Sequence, residues 1–437
     1  MSQAGGTPES RAEADITAAL ERRRGAVGQL WPDETIVLIG AGKPVPVPGR
    51  GDRTYPFRSH SEYFYLTDRE RPGGVLAYDS EDGWFDFVTP VTREEVLWEG
   101  ADPSSAGGKD IAELESWLAA HRAKKIALLG TAGDGAGSDP RLEADLRYAL
   151  NSVRRRKDQI ELGRMRVAEQ ATRAGFQEIA ERIEVGRDER ELRAILESAF
   201  ALNGADDLAF DTIVAGGHHS AVLHHRPATR ALAEGDLVLI DAGAEFRGYA
   251  SDVTRTYPAT GQFTPAQAAL FDVVRQAHAA ALERCLPGTE WRVVHQAASL
   301  VIAQGLVDFG LLRGSAESLV EQGVQALFFP HGVGHLVGLG IRDAGEVLRG
   351  RQSDPHDFPK LRVDMPLEPG YVVTVEPGVY IVPALLRDPP ITKFSRDSVN
   401  WALAEQLTHF GGIRIEDDVL ITKAAPEVLT AQIPIEA

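Results

Sequence analysis

The sequence predicts an α+β protein of two domains, a smaller α/β domain followed by a larger one whose helices pack on a curved, largely antiparallel sheet. Three observations predict it. The chain has 437 residues, more than one hydrophobic core ordinarily serves. Its first third alternates short apolar runs with helical stretches. The remainder opens on a long amphipathic pattern and then sets carboxylates at the ends or interruptions of strand-like apolar runs.

The first domain is expected over residues 1–151. Thr35–Gly40, Val75–Tyr78, Trp84–Val88 and Lys125–Leu129 read as strands bounded by Gly, Pro or charge. Glu113 to Arg122 reads as a helix, and Gly130 to Asp139, rich in Gly, Ala and Asp, as a loop. A helical pattern from Leu142 carries the chain to a boundary near Ser152, so that residues 152–437 form the second domain. There Leu162, Met165, Ala168, Thr172, Phe176, Ile179 and Ile183 recur at three- and four-residue steps, the stripe of an amphipathic helix. Thr264-Pro265-Ala-Gln267 starts another, with Thr as cap, Pro in the first turn and Gln closing a capping box. It should run to about Leu286 and stop at Pro287-Gly288. A third should run from about Trp291 to Phe309.

Composition excludes several classes. A single cysteine, Cys285, rules out internal disulfides and four-cysteine metal sites. A net charge of −18 argues against a general nucleic-acid binder, which needs Lys and Arg against phosphates. No apolar stretch approaches the roughly 20 residues that span a bilayer, so no membrane partner is expected. The first ten residues lack the apolar core of a secretory signal; the expected address is cytoplasmic.

The candidate site is a set of carboxylates where apolar strands should be. An ionised Asp among apolar neighbours is costly unless it is paired or holds a metal. Asp241 ends Leu-Val-Leu-Ile-Asp and Asp252 interrupts Tyr-Ala-Ser-Asp-Val-Thr. The segment between them reads as strand, Gly-containing turn and strand, which can bring both to a common point. Downstream lie His331-Gly-Val-Gly-His335, Thr374-Val-Glu376-Pro-Gly and Gly412-Ile-Arg-Ile-Glu416. All five candidate ligands (Asp241, Asp252, His335, Glu376 and Glu416) are expected on strands. Four carboxylates and one imidazole are a hard ligand set that suits two divalent metal ions, Mn²⁺ first, with Co²⁺, Fe²⁺ or Zn²⁺ as substitutes. A hydroxide bridging two such ions would be the nucleophile.

These motifs together resemble the metallopeptidases of the pita-bread fold, in particular the proline-directed branch of aminopeptidase P and prolidase. The first third, with Tyr55-Pro-Phe-Arg-Ser-His-Ser-Glu-Tyr-Phe-Tyr-Leu-Thr67, is similar to the creatinase-type N-terminal domain of those enzymes. The resemblance implies hydrolysis of the Xaa-Pro bond at the N-terminus of dipeptides or short peptides, and a homodimer. It implies that Asp241 and Asp252 bind one metal and that Asp252, His335, Glu376 and Glu416 complete the pair, with Asp252 and Glu416 bridging. It makes Glu376 also the proton shuttle. His224 matches the family histidine that steadies the reacting amide, and His331 one that lines the pocket for the residue after the cleaved bond; His225 reads as a bystander. One position departs: Arg342 stands where the family has a histidine, seven residues after His335. A permanently charged, longer side chain there either grips a substrate carboxylate or marks a different substrate. Arg362, 14 residues before Glu376, matches the prolidase arginine that pairs with a dipeptide's carboxylate. The alternatives are a non-catalytic binding protein on this fold and a metal-free hydrolase of the creatinase type.

Overall fold

The chain divides into two units, Met1–Arg154 and Arg155–Ala437. The computed structural model describes residues 8–103, 107–121, 124–131, 139–345, 347–351, 361–388 and 396–435.

The first unit is built on a mixed sheet. Its strands are β1 (Thr35–Gly40), β2 (Val75–Asp79), β3 (Gly83–Val88), β4 (Lys109–Asp110) and β5 (Lys125–Gly130), ordered β4-β3-β2-β1-β5. β1 is the apolar run Thr-Ile-Val-Leu-Ile-Gly, buried throughout, as a strand between two neighbours must be. It pairs antiparallel with β2 (Val37↔Tyr78) and parallel with β5 (Val37↔Ala127). The β2–β3 turn is held by the Asp79 carboxylate, which accepts from the amides of Glu81 and Asp82. The helices are α1 (Pro8–Gly28), α2 (Ser61–Thr67), α3 (Arg93–Glu99), α4 (Leu114–Ala120) and α5 (Pro140–Arg154). Ile36, Leu38, Ala77 and Phe87 form a core with Trp117 and Leu118 of α4 against it. Most of the expected 130–139 loop, and Arg122 at the end of the expected 113–122 helix, lie outside the described residues.

The second unit opens with α6 (Gln159–Ala180) and α7 (Glu189–Leu202), and later adds α8 (Pro265–Leu282), α9 (Trp291–Asp308) and α10 (Ala316–Glu321). The Thr264–Gln267 capping box and the first-turn proline of α8 are present. α8 ends at Leu282, four residues before the expected stop, and α6 ends before Ile183, which packs on the core from the following turn. The strands are β6 (Asp207–Leu208), β7 (Ile213–Gly216), β8 (Leu237–Ala242), β9 (Ala244–Phe246), β10 (Tyr249–Ala250), β11 (Val253–Pro258), β12 (Val372–Val375), β13 (Gly378–Tyr380), β14 (Gly412–Arg414), β15 (Asp417–Leu420) and β16 (Glu427–Val428). Every pairing between them is antiparallel. The isolated pairs Thr254↔Glu416, Tyr249↔Leu339 and Leu336↔Val373 join the pieces. One core sets α6 and α7 against Val238, Ile240, Ala242 and Val253. Another sets α8 and α9 against Val373, Val375, Ile413, Ile415 and Val419.

Only Asp241 of the five candidate ligands lies inside a strand. Asp252, His335, Glu376 and Glu416 sit in the gaps between strands, against the expectation that strands carry all five. Close backbone crossings make those gaps. A Cβ on Gly243 would lie 1.7 Å from the Ser251 carbonyl oxygen, and one on Gly334 would lie 2.0 Å from that of Thr374. Only glycine admits such approaches, and a ladder interrupted there turns the neighbouring side chain out of the pleat.

Candidate active site

Asp241 and Asp252 reach one place through a doubly broken hairpin. β8 and β11 pair with Asp241 opposite Thr254. Beyond Ala242 the two arms slip at Gly243 and at Ser251–Asp252, then pair again as β9 and β10 around the turn at Arg247-Gly248, both with positive φ. The His331–His335 segment is strapped to β12, since Thr374 N donates to His335 O at 2.8 Å and Glu376 N to Val333 O at 2.8 Å. That strap brings His335 and Glu376 together. Glu416 follows β14 and pairs across to Thr254.

All nine residues singled out in the sequence line one cavity of about 930 Å³: the five acidic and imidazole candidates, and His224, His331, Arg342 and Arg362. Asp252, His335 and Glu416 offer ligand atoms within 4.8 Å of one another. His335 Nε2 lies 3.4 Å from Asp252 Oδ2 and 4.0 Å from Glu376 Oε1. Its Nδ1 is 3.0 Å from the Leu336 carbonyl, the partner that orients a ligating imidazole with Nε2 forward.

The carboxylates are short of positive charge. Burial, reinforced by Asp252, pushes Asp241 up to about 6 although Arg414 opposes it. Burial pushes Glu376 up to about 7 against the pull of His335 and Arg414. Glu416 rises well above its ordinary value from burial and from Asp252, Glu376 and Asp241. Burial would lower His335, yet Asp252 and Glu376 raise it. One oxygen of Asp241, Oδ1, is buried with no hydrogen-bond partner among the described residues. A buried orphan acceptor among oxygen donors and a forward-facing imidazole nitrogen fits a divalent cation.

Two residues of the site escaped sequence reasoning. Arg414 donates to Asp241 Oδ2, to the Tyr380 hydroxyl at 2.8 Å and to Thr254 Oγ1 at 2.9 Å, while Thr254 donates to Glu416 Oε2 at 2.6 Å. Tyr380 in turn lies 2.9 Å from His331 Nε2, and His331 Nδ1 lies 2.9 Å from the Gly332 carbonyl. Those partners assign the proton to Nδ1, so the tyrosine donates to Nε2. Burial, then Arg414, pushes His331 down to about 3, a neutral ring with both nitrogens engaged. The signal for Arg414 was its two-residue spacing from Glu416, which sends both side chains to one face of a strand.

His224 is lowered by burial and then by Arg342, Arg414 and Arg362. Arg362 is lowered by burial and then by Arg342. Arg342 and Arg362 therefore form a cationic wall beside a neutral His224, and among the described residues neither arginine makes an ion pair. His225 turns its Nε2 to Glu189, 2.8 Å away.

An α/β domain ahead of an antiparallel sheet with helices packed on it, the sheet holding a clustered Asp-Asp-His-Glu-Glu set, defines a two-domain metallopeptidase of the aminopeptidase P fold. The model for metallopeptidase family M24 matches residues 163–423, and that for the aminopeptidase P N-terminal domain matches residues 20–129. The chain belongs to metallopeptidase family M24. It is similar to a probable Xaa-Pro aminopeptidase of Botryotinia fuckeliana, 30% identical over 91% of this chain and 89% of that one. A probable Xaa-Pro aminopeptidase of Talaromyces marneffei is 32% identical over 87% and 86%. Among solved structures, an aminopeptidase PepP of Pseudomonas aeruginosa superposes with a TM-score of 0.77 at 29% identity, covering 95% of both chains. A Zn-substituted Escherichia coli aminopeptidase P in complex with product gives 0.78 at 28%, again over 95% of both. Among the described residues no helix is long and apolar enough to cross a membrane.

Proposed function

We propose that the protein hydrolyses the Xaa-Pro bond at the N-terminus of dipeptides and very short peptides, with two divalent cations, Mn²⁺ by preference, held by Asp241, Asp252, His335, Glu376 and Glu416. The observation that carries this reading is the charge-deficient cluster itself: four carboxylates and an imidazole converge with one buried oxygen unpartnered. When bound, the cations supply an activated water and polarise the scissile carbonyl.

The chain's own groups divide the remaining work. Glu376 has the most accessible of the four carboxylates, 20% exposed against 13% for Asp241, 6% for Asp252 and 3% for Glu416. It is the group that takes a proton on the cavity side and delivers it to the leaving nitrogen. His224, kept neutral, can hydrogen-bond the reacting amide. His331, with both nitrogens engaged, presents its ring to the residue after the bond, beside the edge of Phe329. Arg342 and Arg362, cationic and without an ion pair among the described residues, hold the carboxylate of a short substrate.

The test is turnover by the Mn²⁺-loaded protein of an Xaa-Pro dipeptide beside an Xaa-Pro-Xaa tripeptide, with an Xaa-Ala control. Preference for the dipeptide is expected. Preference for the tripeptide removes the carboxylate role of the arginines, and cleavage of neither overturns the proline reading.

A further inference from the structure

Glu189 is the first residue of α7, and the cap of that helix does not need it. Asp188 accepts from the amides of Arg190 and Glu191, and Glu191 closes the capping box. Yet Glu189 is fully buried, where a carboxylate is costly unless its oxygens are satisfied. They are. Oε1 accepts from Gly216 N at 2.8 Å and stands 2.7 Å from His219 Nδ1; Oε2 accepts from Ala228 N at 2.8 Å and stands 2.8 Å from His225 Nε2. Each oxygen takes one backbone amide and one imidazole. Burial alone would raise this carboxyl, but its four partners bring it below the ordinary value.

The four donors span residues 216 to 228, and this segment forms part of the cavity wall, with Leu223, His224 and Arg226 among its lining. Its first residue, Gly216, also pairs with Val238 as the end of β7, and Leu223 packs on the core of Ile213, Ala215, Leu239 and Tyr380. The segment holds one 3₁₀ turn, Gly217–Ala221, and Ser220 ties it to Gly412 at 2.8 Å. The His224 imidazole makes no hydrogen bond among the described residues, so its aim depends on where the backbone carries it. The segment is anchored at both ends and at two internal imidazoles, on either side of His224, by one carboxylate. Glu189, His219 and His225 also come close enough to hold a metal. A cation there would have to displace donors from both oxygens, whereas the hydrogen bonds already complete the group.

We propose that Glu189 is a positioning residue: through His219, His225 and two backbone amides it holds His224 at the reacting bond. The inference rests on the reading that His224 acts on the amide. Its test is a double-mutant cycle of Glu189→Gln and His224→Ala on the full-length, Mn²⁺-loaded protein with an Xaa-Pro dipeptide, reading kcat, KM, metal content and Tm. Glutamine turns an NH₂ on two of the four donors, so about half of the anchor is lost. Misplacing a catalytic group by about 1 Å can cost on the order of 100-fold, and E189Q should lower kcat by about 10- to 100-fold with KM and metal content nearly unchanged. In the H224A background the same change should cost less than about twofold, because what it positions is gone. Equal losses in both backgrounds overturn the inference while leaving the role of His224 standing. A wild-type rate for H224A removes that role and the inference with it. Should E189Q fail to fold, His225→Leu and His225→Gln serve: the glutamine can still donate to Glu189, and it should recover most of the kcat that leucine loses. Equal kcat in the two variants overturns the proposal.

Discussion

Glu416 and Asp417 are neighbours in sequence, are equally buried, and have opposite electrostatic surroundings. Burial would raise Asp417, but Arg255, 2.8 Å from its Oδ1, and His278, 3.1 Å from its Oδ2, hold it well below the usual carboxylate range. Glu416 faces Asp252, Glu376 and Asp241, with Arg414 as the nearest cation at 3.8 Å, and is driven far upward. At the start of β15, alternation sends one carboxylate toward α8 and the next toward the cavity. On one side of the strand the chain supplies its own counter-charge, and on the other it leaves the charge incomplete. The first arrangement belongs to folding and the second to a bound cation. Glu189 belongs with Asp417.

The largest effect is expected where charge is incomplete and a proton must move. Glu376→Gln should lower kcat by about a thousandfold, within the span of a lost general acid–base group. The Tm of the metal-free protein should stay level or rise, because one repelling charge has gone. A wild-type rate would place the proton transfer elsewhere and break the comparison.

Chelation sharpens the same side. Asp241 at about 6 and Glu376 at about 7 exceed their ordinary values of 3.8 and 4.5. An acid raised in the folded state keeps a proton that the unfolded chain has released, so stability of the metal-free protein falls as pH climbs from about 4 to about 7. Bound cations take the place of those protons. The Tm gap between Mn²⁺-loaded and chelator-stripped protein should widen across that interval and reach on the order of 10 °C at saturating metal. A gap that narrows with rising pH would contradict the assignment.

On the completed side, Asp417→Asn should cost about 3 kcal/mol of stability, the effect of stranding a buried cation, with a smaller loss of kcat than Glu376→Gln. Asp417 is depressed, so its contribution is full above the ordinary carboxylate range and fades only as pH falls below it. The Asn variant should therefore show a shallower acid limb of Tm against pH. An equal slope would mean that Arg255 is satisfied by the Thr254, Glu416, Ile433 and Pro434 carbonyls without the carboxylate.

Most of the fold was legible because it is local. The β1 run, the α8 capping box and the stripe of α6 each follow from residues within one element. The carboxylates stood out because apolar strands should not contain them. What stayed hidden depends on contacts remote in sequence. Asp252 and Glu376 were placed on strands because no local pattern announces where Gly243 meets Ser251 or Gly334 meets Thr374. Arg414 drew no reading because its partner, Asp241, is remote in sequence and meets it only where β8 and β14 come together. His225 looked idle because its partner, Glu189, lies 36 residues earlier.

The smallest effect concerns the cationic wall. Arg342 lines the cavity with Arg362 and is the first charged cause, after burial, of the lowered pKa of His224. Arg342→His removes a permanent charge, and two consequences separate its roles. If the guanidinium holds a substrate carboxylate, preference for the Xaa-Pro dipeptide over the tripeptide should fall about tenfold, the scale of one hydrogen bond to a charged group. If it keeps His224 neutral, its loss lets His224 rise toward the ordinary histidine range, and the acid limb of kcat moves to higher pH. Both changes are expected, because one guanidinium faces both groups. A shifted limb with unchanged selectivity removes the carboxylate role and leaves Arg342 as the charge that tunes His224. Changed selectivity with an unmoved limb gives the substrate the whole of its charge, and the neutrality of His224 then rests on burial, Arg414 and Arg362.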